Sequence, residues 1–315
     1  MTGTSNAPAT SGTISVVIAH LNQPQMLDRC LRSIMEGRRP PEEVIVVDNG
    51  STELPVAICA QWPEVRLMQE PVPGPGPARS TGARAATGTV LAFTDADCLT
   101  DPGWLEAAMA TLASHPDWQI LGGDVRIAAV DPDRLTMLEA YESIWGFRVE
   151  RYIREENFTV TCNLITRPAV MQAVGEFAGL SVAEDIDWGH RATAMGYRIH
   201  YCPDVLVRHP ARPCLAALKI KWDRHTAHFF HDATQKRLGR LKWALRTVIM
   251  ALSPLGEIPA LLGSDRIFGA RSRWLAFVGM TRIRLYRARL MAWLLFGGDP
   301  ARLAGRWNRP AAGGR

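Results

Sequence analysis

The chain has 315 residues, of which 47% are hydrophobic and 21% charged, so it can bury a sizeable core and is neither a disordered nor a fibrous protein. Its six cysteines (Cys30, Cys59, Cys98, Cys162, Cys202 and Cys214) lie far apart with no Cys-x-x-Cys pair, which argues against a zinc knuckle or disulfide scaffold and for a reducing compartment. The net charge of +5 hides an asymmetry: residues 1–212 carry 17 Lys/Arg against 26 Asp/Glu, whereas residues 213–315 carry 19 against 5, with five of the ten tryptophans.

The start, residues 1–12, is polar and lacks the basic flank and apolar run of a signal peptide, so it reads as a disordered lead into a cytosolic chain. Short apolar runs then alternate with helical periodicity, the pattern of an α/β domain with mostly parallel strands. Strands are expected at 14–19, 43–48, 65–69 and 89–94. Between the first two, Met26, Leu27, Cys30, Leu31, Ile34 and Met35 recur at spacings of one helix face, opened by Pro24 and closed by Gly37. The stretch Pro71-Val-Pro-Gly-Pro-Gly-Pro77 cannot supply ladder hydrogen bonds and must be a loop, followed by a short helix over 78–86 and another over 102–114. Helix is expected over 135–151, strand over 158–165, helix from Pro168 and over 183–195, and short strands at 197–201 and 205–208.

After Pro213 the segments 243–262 and 274–296 are helical and apolar. Arg246, Pro254, Glu257 and Pro259 interrupt the first, and Arg282, Arg284, Arg287 and Arg289 the second. Neither reads as an uninterrupted span of about 20 apolar residues, so both are expected to lie in a membrane interface rather than cross it. A basic, tryptophan-bearing tail points to an anionic surface. Lipid headgroups are the expected surface, and no nucleic-acid partner is expected.

Three acidic groups stand where chemistry is done. Asp48 ends an apolar strand before Asn49-Gly50-Ser51, at the carboxyl edge where open α/β sheets bind ligands. Asp95 and Asp97 follow a strand two residues apart, so their carboxylates project to one side and suit Mg²⁺ or Mn²⁺. Glu184 and Asp185 open a helix bearing Trp188 and Arg191, with Arg208-His209 shortly after. A general base, an acceptor platform and a metal or phosphate contact are available there. Arg79 and Arg84 follow the Pro/Gly loop and suit phosphate pairing.

Taken in order, these elements resemble family 2 glycosyltransferases of the GT-A fold. The match rests on Ala19-His20-Leu21-Asn22, on Val46 to Ser51, on the Arg79 segment leading into Phe93-Thr-Asp-Ala-Asp97, and on Glu184-Asp185-Ile-Asp187 with Arg191. The resemblance implies a mixed, mostly parallel sheet flanked by helices over residues 13–212, with 213–315 a basic helical, membrane-interfacial extension. It implies a nucleotide-sugar donor held by Ala19, His20, Asn22, Asp48, Arg79, Asp95 and Ala96, and a divalent ion held by Asp97 and His209. Asp185 would be the base of an inverting transfer, with Glu184, Trp188 and Arg191 on the side of a lipid-linked or glycan acceptor. Such an enzyme serves polysaccharide biosynthesis as a peripheral protein on the cytoplasmic side of the membrane. The Gln-x-x-Arg-Trp signature of polymerising members is missing, since Gln235 is the only glutamine after Asp185, so one sugar per encounter is expected. Two other readings remain open on the residues: a sugar nucleotidyltransferase, which lacks its Gly-rich loop after the first strand, and an anionic-surface adaptor with a degenerate catalytic domain.

Overall fold

The computed structural model describes residues 12–180, 182–235 and 238–304; residues 1–11 of the expected disordered start lie outside them. In chain order the elements are β1 (Ile14–His20), α1 (Pro24–Met35), β2 (Glu43–Asp48), α2 (Val56–Cys59), β3 (Val65–Gln69), α3 (Pro75–Ala85) and β4 (Val90–Asp95). There follow β5 (Leu99–Thr100), α4 (Trp104–Ser114), β6 (Ile120–Ala128), α5 (Met137–Trp145), α6 (Val149–Glu156), β7 (Leu164–Thr166), α7 (Pro168–Val174), α8 (Glu184–Ala194) and β8 (Ile199–Pro210). The remainder is helical: α9 (Leu215–Thr234), α10 (Gly239–Gly256), α11 (Ile258–Gly263), α12 (Ala270–Leu295) and α13 (Ala301–Ala304). The chain divides into two compact units, residues 1–128 with 148–210, and residues 129–147 with 211–315.

The first unit is a single eight-stranded sheet in the order β3-β2-β1-β4-β7-β6-β8-β5. β3, β2, β1 and β4 run parallel, and β7 joins antiparallel between β4 and β6. Val16, Val17 and Ile18 are all fully buried, as a parallel strand covered on both faces requires. α1 buries Leu27, Leu31 and Ile34, a face worth roughly 2 kcal/mol per side chain. On the other face, α3 lies so close to β1 that a Cβ on Gly82 would stand 2.4 Å from the Val17 side chain. Only glycine permits that approach.

The sheet bends at one point, and a single side chain fills the bend. β6 and β8 change register between Gly123 and Asp124, where Gly123 faces Cys202 and Asp124 faces Leu206. A Cβ on Gly123 would meet Asn163 Nδ2 at 2.2 Å, so the glycine opens the notch that Asn163 occupies. Fully buried Asn163 donates from Nδ2 to the Asp124 and Val205 carbonyls (2.8 Å each), and its Oδ1 accepts from Trp104 Nε1 (2.8 Å).

Three sequence expectations are corrected here. In place of two short strands at 197–201 and 205–208, residues 199–210 form one continuous bulged strand, because residues 203–205 are looped out of a ladder that resumes at Leu206. The apolar alternation over 158–163 reflects burial of Phe158, Val160 and Cys162 rather than pairing. Thr161–Asn163 is a 3₁₀ turn that delivers Asn163 to the notch, and strand begins only at Leu164. Helix over 135–151 breaks into α5 and α6 at Gly146–Arg148.

In the second unit, residues 129–147 pack with the C-terminal helices, although the sequence reading places them in the catalytic domain. Thr136 and Glu139 form a reciprocal capping box that starts α5, and Glu139 also accepts from the Val130 N–H at 2.8 Å. Buried Glu142 receives the Arg212 N–H and Nη1, each at 2.7 Å, so the chain after β8 is clamped to α5. Gly279 lets α12 approach, since a Cβ there would lie 2.9 Å from Tyr141 Cβ. Along α10, Leu241, Leu245, Val248, Ile249, Leu252 and Leu255 form one stripe, each between 56% and 67% exposed. The 25-residue stretch Gly239–Gly263 is long and apolar enough to cross a membrane, by length and composition, although the sequence reading counted its breaks against that.

Asn163→Leu keeps the volume but leaves two carbonyls and the Trp104 N–H unpaired in the interior. Urea unfolding should show a loss on the order of 3 kcal/mol or more.

Candidate functional site at the strand ends

The chain passes from β1 to β2 and β3 on one side and returns to β4 on the other, so the carboxyl ends of β1, β2 and β4 border a topological switch point. The parallel register sets His20 beside Asp48 and Ala19 beside Asp95. His20 Nδ1 donates to Asp48 Oδ1 (2.9 Å), and His20 Nε2 accepts from the Gln23 N–H (3.2 Å), which settles the neutral tautomer. Asp48 Oδ2 accepts from the N–H groups of Gly50 (3.1 Å) and Ser51 (2.9 Å). Burial pushes the Asp48 carboxyl up, but the hydrogen bonds from Ser51 and His20 outweigh it and hold it below its ordinary value. Asn22, at φ +52°, closes the turn by accepting from the Thr52 N–H while its own N–H donates to Ser51 Oγ (both 2.8 Å). His20 and Asp48 are each 1% exposed, so they shape the loop from beneath rather than present themselves on its surface.

Arg79 lies on α3, three helical positions after Gly76, where a Cβ would stand 1.9 Å from the Ala178 carbonyl oxygen. That close seat buries the guanidinium. Nη2 donates to Asp95 Oδ1 at 2.5 Å and Nη1 to Glu184 Oε1 at 2.8 Å. Burial alone would favour the neutral form, but the two carboxylates outweigh it and keep the charge. The end of β4 is thereby tied to the first turn of α8 through Arg79, which lies 105 residues before Glu184 in sequence.

Asp95, Asp97, Cys98 and His209 bring one ligand atom each within 4.8 Å of one another. His209 reaches the group from the end of β8, and its Nδ1 donates to the Pro210 carbonyl at 2.7 Å. Its Nε2 faces Asp97 Oδ1 at 3.6 Å, and in the neutral imidazole that nitrogen carries the lone pair. A backbone-oriented imidazole lone pair opposite a carboxylate is a pairing that a cation completes. A hydrogen bond with Cys162 and then burial hold the Cys98 thiol well above its ordinary value, and the other three donors are two carboxylates and an imidazole. That set fits a hard divalent ion.

Asp185 stands beside Glu184 at the start of α8. Burial, first, and the adjacent Glu184 carboxylate push it up to about 6, against the downward pull of the Ile186 N–H (2.9 Å) and Arg79. Two neighbours differ from the sequence reading. Trp188 is 1% exposed, packs against Phe93, Phe177 and Val174 and donates Nε1–H to the Gly175 carbonyl (3.1 Å), so it is a core residue and not an acceptor platform. Arg191 gives its donors to Asp187 Oδ2 (2.9 Å) and the carbonyls of Val174 and Glu176, fixing the loop between α7 and α8. Glu184 is committed to Arg79. Ala96 is buried between the two carboxylates.

The profile of glycosyl transferase family 2 matches residues 15–178. The chain belongs to glycosyl transferase family 2. It is 33% identical over 214 residues to glycosyltransferase AglE of Haloferax volcanii, covering 65% of this chain and 69% of that one. To the amylovoran biosynthesis glycosyltransferase AmsE of Erwinia amylovora it is 25% identical over 241 residues, covering 74% and 86%. Among solved structures, the mannosyltransferase PcManGT from Pyrobaculum calidifontis, in complex with GDP-Man and Mn²⁺, shares the fold at a TM-score of 0.58 and 19% identity, over 93% and 90% of the two chains. The protein is thus a glycosyltransferase with a GT-A fold.

Two contributors to this glycosyltransferase's site escaped sequence reasoning. Asn49 donates from Nδ2 to the carbonyls of Glu70 (2.9 Å) and Val72 (2.8 Å) and accepts from the Gly74 N–H (2.7 Å), so it pins the Pro/Gly loop that precedes α3. Its signal was there, an Asn before a positive-φ glycine at a strand end. Cys98, which directly follows Asp97 and whose thiol lies in the same cluster, is not singled out by the sequence analysis.

Removing either side of the Asp97–His209 pair should abolish cation-dependent stabilisation by nucleoside diphosphates. In a thermal shift assay with Mn²⁺, Asp97→Asn and His209→Ala should lose most of the wild-type rise in Tm while unliganded Tm changes little.

Proposed function

We propose that the protein transfers a sugar from a nucleoside-diphosphate sugar to a hydroxyl of a lipid-linked or glycan acceptor, with inversion at the anomeric carbon and Asp185 as base. The observation that carries this reading is the Arg79 bridge, which couples the Asp95 strand end to the helix turn holding a carboxyl raised to about 6. A base titrating near 6 is ionised at neutral pH yet retains proton affinity. In this reading Asp185 takes the proton of the acceptor hydroxyl as its oxygen attacks the anomeric carbon from the face opposite the departing nucleotide. Asp97 and His209 would hold Mg²⁺ or Mn²⁺, which when bound offsets charge on the leaving diphosphate. Arg79 keeps Asp95 and Glu184 compensated and oriented. The loop built on Asp48, Asn22 and Ser51 forms the base and ribose side of the donor site.

The second unit, in the same reading, holds the enzyme at the cytoplasmic face of a membrane. Its support is the exposed aliphatic stripe of α10 together with the +14 balance of residues 213–315.

Asp185→Asn should retain donor binding and lower transfer by about 10²-fold or more. Because the base works only when ionised, the wild-type rate should fall as pH drops through about 6, and Arg79→Met, which removes a charge that lowers the Asp185 pKa, should move that limb upward. Anomeric NMR of the product reads the inversion. A paired Leu245→Glu and Leu252→Glu change should reduce co-sedimentation with anionic vesicles and leave nucleotide binding intact.

A further inference from the structure

Away from the strand ends, the second unit holds a cation that none of its described side chains answers. α12 carries Arg284 and Arg287 one turn apart. Arg284 is compensated, since Nη2 donates to Glu257 Oε1 at 2.9 Å and Nη1 reaches Met250 Sδ at 3.5 Å. Arg287 forms no ion pair or hydrogen bond among the described residues. Its guanidinium carbon lies 3.8 Å from the centroid of the Trp222 ring on α9, and its Nε is buried without a hydrogen-bond partner. Burial, and then the like charge of Arg284, push Arg287 down to about 10, while the buried Tyr141 hydroxyl on α5 acts in the other direction. One turn before Trp222, Lys219 places its Nζ 4.8 Å from the centroid of the Tyr286 ring. Two cations, neither with an ion pair among the described residues, thus lie on aromatic faces contributed by α9 and α12.

Arg287 is half-buried, and burying its Nε with no acceptor is unfavourable, while Nη1 and Nη2 are not among the buried unpartnered atoms and stay open to a ligand. The chemistry that relieves it is specific. A planar fork of N–H donors beside an ammonium recognises phosphate oxygens, and an indole beneath it keeps the fork oriented. We propose that Arg287, with the Trp222 face and Lys219, forms a binding site for a phosphate or diphosphate ester. This deepens the membrane-acceptor reading above and rests on it for the source of the phosphate, which is either the phosphorylated end of a lipid-linked acceptor or a phospholipid headgroup.

The test uses the full chain in neutral detergent micelles with EDTA present, so that the cation-dependent strand-end site is silent. Calorimetry measures inorganic pyrophosphate and dodecyl phosphate, and flotation compares vesicles of phosphatidylglycerol with vesicles of phosphatidylcholine. Arg287→Gln should weaken binding about tenfold or more, Arg287→Lys less, and the exposed Arg289→Gln on the same helix not at all. Without ligand, Arg287→Gln should melt no lower than wild type, because an uncompensated charge is removed. With pyrophosphate, only the wild type should gain Tm. Dependence on Arg287 for pyrophosphate and dodecyl phosphate names a phosphorylated acceptor, and dependence for phosphatidylglycerol vesicles alone names the headgroup. Equal binding by wild type and Arg287→Gln in every arm overturns the proposal, as does a lower unliganded Tm with unchanged binding, which makes the stack on Trp222 structural only. Failure of the transferase reading shows separately, as full transfer by Asp185→Asn with these binding results unchanged.

Discussion

A single buried guanidinium organises the catalytic unit. Arg79 sits where α3 presses against the chain at Ala178, and it answers Asp95 on one side and Glu184 on the other. Without it two carboxylates from distant parts of the sequence would face each other at low dielectric, a repulsion that would pull β4 and α8 apart. With it, the aspartates after β4 and Asp185 belong to one rigid arrangement. The glycines beneath are part of the same device, because Gly76 and Gly82 bring α3 near enough for a side chain of fixed length to reach both acids.

The first four strands were legible because each is a short apolar run ending in a polar turn, and burial on both faces gives such runs no other stable use. The acidic residues were legible for a related reason: a charged group directly after a buried strand must emerge at the carboxyl edge of the sheet. Beyond residue 115 the local signal weakened. β6 contains Gly122-Gly123, which reads as loop, yet those glycines are there because Thr159 and Asn163 fill the space a Cβ would take. Trp188 misled for the opposite reason. An aromatic next to an acid pair suggests a ligand platform, but the groove beside Phe93 and Phe177 needed filling. Whether a residue faces a site or the core is decided by packing partners that periodicity does not name.

The helical unit shows how composition can carry information that pattern does not. In the proposed membrane-bound state, its apolar stripe on α10 would gain free energy by leaving water and its basic side chains on α12 by meeting negative charge. Residues 129–147 join this unit by a capping box, a buried Glu142–Arg212 pair and the close seat at Gly279, none of which is visible as a domain boundary in the sequence.

The turn after β2 bears on the timing of the reaction. Its backbone N–H groups are already committed to Asp48, its entry is locked through Asn22, and Asn49 pins the loop that follows β3. A nucleotide bound there, as proposed, would meet a surface with little freedom left to lose, so little of its contact energy would be diverted into ordering the protein. In the proposed donor site, such a rigid half-site would favour fast capture and, by the same logic, fast release of the spent nucleotide.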